Sequence, residues 1–77
     1  MRLLPVDSSV LATIAYDPET AILRVGFHDQ TIYDYAGVPH EVYAALLGSP
    51  SKGSYFNRAI RSRFAHTKVS EASPIRF

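Results

Sequence analysis

The 77-residue chain contains no cysteine, so neither a disulfide framework nor a thiolate metal site can support its fold. Tryptophan is also absent, and aromatic bulk comes from five tyrosines and four phenylalanines. No apolar run approaches the roughly 18 residues that a bilayer-spanning helix needs. Near the start, Pro5 and Asp7 interrupt any signal-peptide core. These absences lead us to expect a cytoplasmic domain with no membrane contact. Charge is sparse at 19%, while apolar residues reach 47%, enough for a packed core and too much for a disordered chain. The length suits one small domain, which buries only about 60% of the surface its unfolded chain exposes.

The net charge of +1 conceals two unequal halves. Residues 1–48 set Arg2 and Arg24 against six carboxylates, a balance of −4. Residues 49–77 set Lys52, Arg58, Arg61, Arg63, Lys68 and Arg76 against Glu71 alone, a balance of +5. A positive field of that size on so small a body attracts phosphates or an acidic protein. A solvated helix face that keeps the chain soluble is the plainer reading.

Hydropathy in the first half alternates with period two. Val10 to Tyr16 places Val10, Ala12, Ile14 and Tyr16 on one face, and Leu11, Thr13 and Ala15 on the other. Asp17-Pro18-Glu19-Thr20 supplies a turn, after which Leu23, Val25 and Phe27 share a face opposite Arg24 and Gly26. His28-Asp29-Gln30 links this run to a third, Thr31 to Tyr35. Short polar links between alternating runs predict an antiparallel meander of three strands.

The period then changes. Pro39 suits the first position of a helix, Glu41 suits its dipole, and Val42, Tyr43, Leu46 and Leu47 form an apolar stripe. Gly48, as a left-handed cap, and Pro50 end it. Ser51 or Ser54 is placed to cap a second helix over Tyr55 to Phe64, with Phe56, Ala59 and Ile60 inward and Arg58 and Arg61 outward. Arg63 falls near the apolar stripe, so either the helix frays there or the side chain lies along its rim. The expected fold is α+β: a three-stranded antiparallel meander covered on one face by two short C-terminal helices. Residues 1–64 form the domain, and 65–77 read as a mobile tail.

Catalytic constellations are missing. His28, His40 and His66 are 12 and 26 residues apart, which is no ligand spacing, so neither a metal nor another cofactor is expected. No serine sits in a Gly-x-Ser-x-Gly elbow, and no carboxylate pair faces an evident cleft. We therefore expect no enzyme. The segment Gly48–Ser54 fails the Gly-x4-Gly-Lys-Ser/Thr pattern, leaving a helix connection, or at most backbone N–H groups and Lys52 holding one phosphate. Tyr33-Asp34-Tyr35 puts two rings on one strand face. They form a stacking platform for nucleobases if that face is open, and core aromatics if it meets the helices. The pattern favours the core.

Several blocks taken together carry a resemblance. Asp7-Ser8-Ser9-Val10, Ile14 to Asp17, the strand ending at Phe27, Tyr33-Asp34-Tyr35, Gly37-Val38-Pro39, Val42-Tyr43, Ser51 to Asn57 and Ile60-Arg61 resemble the KTSC domain in order and spacing. The likeness covers roughly residues 6–64. The family is named for the C-terminus of some lysyl-tRNA synthetases and also occurs as small free-standing bacterial proteins. The resemblance implies one α+β domain, suggested to bind RNA by association with a tRNA-handling enzyme. Its motif positions fall on Tyr33, Tyr35, Ser51, Gly53, Asn57 and Arg61.

Two functional expectations follow from charge and resemblance. In the first, Lys52, Arg58, Arg61 and Arg63 contact RNA phosphates, Asn57 makes a polar contact, and Tyr33 or Tyr35 stacks on a base. In the second, the tyrosines are core residues of a protein-interaction domain, either a homodimer or an adaptor whose basic helix meets an acidic partner.

Overall fold

The computed structural model describes residues 3–70. Strands β1 (Leu4–Pro5), β2 (Leu11–Asp17), β3 (Ile22–Phe27) and β4 (Ile32–Tyr35) are followed by helices α1 (His40–Gly48) and α2 (Lys52–Ala59), then by β5 (His66–Ser70). One antiparallel sheet results, with the spatial order β1-β2-β3-β4-β5. The expected meander is its centre. Two corrections apply: the sheet has five strands rather than three, and the helices lie between β4 and β5 rather than at the end. Both added strands are edges. β1 has two residues, one of them Pro5, whose lack of an N–H suits an edge. β5 is polar apart from Val69, as an exposed edge requires, so no hydrophobic alternation announces it. It occupies residues 66–70 of the expected tail; residues 71–77 lie outside the described residues.

A β-bulge explains why the faces of β2 depart from simple alternation. Leu11 pairs with Phe27, but Thr13 pairs with Gly26 and Ile14 with Val25, so one extra residue is inserted in β2. The insertion turns Leu11 onto the side of Ile14, where it is fully buried, although alternation assigns it to the opposite face. On that side Leu11, Ile14, Leu23, Val25 and Tyr35 meet Val38, Leu46, Phe56 and Ile60. Tyr16 locks α1 to β2: its hydroxyl donates to the Val38 carbonyl at 2.6 Å and its ring stacks on Tyr43 at 4.7 Å. On the reverse face Arg24 and Asp34 are cross-strand neighbours. Their bidentate bonds are 2.7 and 3.0 Å, and this bonding raises the Arg24 pKa above its ordinary value.

The helix ends depart from sequence expectation in detail. Pro39 is the N-cap residue of α1 rather than its first helical residue, and its carbonyl accepts from Val42 N–H. Leu47 is 41% exposed, outside the apolar stripe, because α1 is short and turns only Leu46 fully inward. Gly48 is helical and takes no left-handed conformation; Gly37, with φ of +73°, does. Ser51 precedes α2 with no side-chain cap bond, and Ser54 lies within the helix. α2 stops at Ala59, where Ile60 leaves helical geometry and Arg61 N–H donates back to the Phe56 carbonyl. The fraying alternative for Arg63 is therefore the observed one: it lies in a turn and is exposed.

Candidate nucleic-acid interface

β4, the β3–β4 turn, α2 and the start of β5 enclose an open cleft of about 760 Å³. Its rings pack edge to face, as their quadrupoles favour. Phe56 stands 5.3 Å from Tyr35 and 5.7 Å from Phe27, and Phe27 is 5.9 Å from Tyr33. His66 of β5 lies 5.4 Å from both tyrosine rings. Pairing explains the assembly: Tyr33 faces Val25 and Tyr35 faces Leu23, so both rings point to the helix-covered side. Tyr35 is only 4% exposed and belongs to the core, so it is no stacking surface. Burial pushes its phenol pKa up, and the nearby Arg61 charge opposes that shift. Tyr33 is half-buried and presents the remainder of its ring to the cleft.

Polar groups reach the cleft from two directions. Asn57 and Arg61 come from α2 and the turn after it, both exposed, with Arg61 Nη1 donating to Asn57 Oδ1 at 3.4 Å. Asp29 and Thr31 come from the β3–β4 turn. Asp29 Oδ1 accepts from the Thr31 hydroxyl at 2.6 Å and from Thr31 N–H at 3.1 Å. These bonds, foremost the hydroxyl, with a smaller contribution from the Lys68 charge, hold the Asp29 carboxyl below its ordinary pKa.

Four of the seven sequence-predicted residues, Tyr33, Tyr35, Asn57 and Arg61, thus line one cleft. The other three do not. Arg58 is exposed, with its guanidinium 5.7 Å from the Tyr55 ring centre. Arg63 is exposed on the turn after α2. Lys52 is half-buried beside a separate small cleft of about 240 Å³, and its Nζ donates to the Ser49 carbonyl at 3.3 Å. Arg58, Arg61 and Arg63 have no carboxylate partner among the described residues. Sequence reasoning missed Phe27, Asp29, Thr31 and His66 as cleft residues. Asp29 reads as turn chemistry, and His66 sits in an edge strand without periodicity.

Gly53, at a motif position, has a packing role. A Cβ there would lie 2.7 Å from Val10 Cγ2 and 2.9 Å from Val10 Cβ, a stiff β-branched side chain held by the neighbouring strand. Gly53→Ala is expected to cost about 1–3 kcal/mol through overpacking. Thermal or urea unfolding measures it, and a variant as stable as the parent would disprove the contact.

Among the described residues no three His, Asp or Glu side chains gather to hold a metal, and no helix is long and apolar enough to cross a membrane. The fold and its cleft define a small α+β domain with an aromatic recess and a cationic flank. Comparison with known proteins places it more closely: the KTSC domain family matches residues 7–64, and the chain belongs to that family. It is 33% identical to the KTSC domain protein YPO2434 from Yersinia pestis, with a TM-score of 0.87 over 90% of this chain and 97% of that one. An uncharacterized protein of Stutzerimonas stutzeri is 41% identical over 61 residues, covering 79% of this chain and 86% of the relative. A lysine–tRNA ligase of Nostoc punctiforme is 34% identical over 68 residues, 88% of this chain but 12% of the ligase.

Proposed function

We propose that this KTSC domain is a non-enzymatic RNA-binding module that holds a single strand along α2 and seats a base in the aromatic cleft. The observation that carries the reading is the set of three exposed arginines on α2 and the turn after it, which have no carboxylate partner among the described residues and of which Arg61 lines the cleft. Arg58, Arg61 and Arg63 contact phosphates, Tyr33 offers its partly open ring to a base, and Asn57 contacts a base edge or sugar. Tyr35 supports the cleft from below. Lys52, turned to its own small cleft, adds field rather than contact. Similarity to a segment of lysine–tRNA ligases supports RNA as the ligand class.

The alternative is a protein-interaction domain that docks an acidic partner on the same arginines or pairs with a second copy at a sheet edge. Titration with mixed tRNA and with a short single strand at low salt distinguishes them. Micromolar binding that weakens linearly in log K with log salt is expected. Absence of binding tighter than millimolar would end the RNA reading, and a concentration-dependent mass would favour self-association.

A further inference from the structure

We propose that the cleft selects guanine among the RNA bases, with Asp29 as the residue that sets the choice; this rests on the RNA-binding reading. The cleft is polar in a directed way. On the α2 side, Asn57 Oδ1 is engaged by Arg61, leaving the Asn57 amide N–H groups and the other Arg61 N–H groups as donors. On the β3–β4 turn, Asp29 is an acceptor, and an ionised one. Its Oδ1 takes two bonds from Thr31, which fixes the carboxylate at the edge of the cleft, and the Lys68 charge favours its ionised form. Between these ends lie Phe27 and Tyr33.

Guanine matches that polarity. Its O6 and N7 are acceptors, the commonest targets of arginine, while N1–H and the 2-amino group are adjacent donors on another edge. Adenine and cytosine each set a ring-nitrogen acceptor next to their amino group, which a carboxylate repels. Uracil flanks its one N–H with two carbonyls. Only guanine offers a carboxylate two neighbouring donors with no acceptor between them. The span also suits a purine: four strand residues from Thr31, beside Asp29, to Tyr35, beside Arg61, cover roughly 13 Å. A purine with a hydrogen bond of about 2.9 Å at each end fills a comparable length.

The test compares short uridine strands with and without one central guanosine, measured by fluorescence anisotropy. The guanosine strand is expected to bind about tenfold tighter, and inosine, which keeps N1–H but lacks the 2-amino group, to fall between. Asp29→Asn preserves the Oδ1 acceptor for Thr31, so the turn keeps its bonds. This variant is expected to bind both strands alike, and to bind the uridine strand at least as well as the parent, because one negative charge has gone. Equal binding of the two strands by the parent, or full guanine preference in D29N, would overturn the proposal while leaving RNA binding intact. No binding of either strand would remove both readings together.

Discussion

Phe56→Ala is expected to leave the domain close to unfolding. Phe56 is 1% exposed and is the largest of the fully buried side chains. Its ring touches Tyr35 and Phe27 edge-on, so it joins α2 to β3 and β4 in one step. Truncating a buried phenylalanine costs about 3–5 kcal/mol, the lost transfer energy plus the cavity. A chain of this length has roughly 4–11 kcal/mol of total stability, with no disulfide to limit the unfolded state. At 4–8 °C per kcal/mol for a domain of this size, the midpoint falls on the order of 20 °C. Phe56→Leu keeps most of the volume and loses far less. Circular dichroism melts measure both. A loss below about 1 kcal/mol for the alanine variant would mean that α2 does not rest on the sheet through this ring.

The parts of the fold legible in sequence are those that bury an amphipathic face. Leu23, Val25 and Phe27 alternate cleanly with Arg24 and Gly26, and the structure keeps them on opposite faces. Phe56 and Ile60 show helical spacing and are buried together. Elements that bury little send no such signal. β5 has backbone pairing to β4 but an exposed polar surface, so composition makes it look like a tail. The bulge in β2 is hidden for another reason: one inserted residue reverses the face of everything before it, and the pattern Leu11-Ala12-Thr13-Ile14 reads equally well without it.

The site was legible in its charges and opaque in its geometry. That Arg58 and Arg61 point outward follows from the helical wheel, and both are exposed. Which residues share a cleft depends on pairing over long sequence distances. His66 reaches Tyr35 only because β5 returns beside β4 after two helices, and Asp29 reaches the same space only through the hairpin register. Tyr33 and Tyr35 share a face as the period-two rule requires. Their different exposure comes from Phe56, which covers one ring more than the other.

Replacing Arg58, Arg61 and Arg63 together with alanine is expected to remove most of the salt dependence that these side chains confer on RNA binding. Each phosphate contact on a single strand contributes about 0.7 to the slope of log K against log salt, so three lost contacts lower it by about 2. The fold should survive, since all three side chains are exposed and none pairs with a carboxylate among the described residues. Arg58 forfeits its contact with Tyr55, worth roughly 0.5–1 kcal/mol at an exposed site. Arg24→Ala is the opposite case. Its charge is already answered by Asp34 in a bidentate bridge on the reverse face. Its loss should cost about 1 kcal/mol of stability and leave the salt slope unchanged. An arginine thus affects the ligand only where the fold has not supplied its counter-charge. If the triple variant kept the parent's slope, phosphates would be meeting some other surface, and these three arginines would be left to a protein partner.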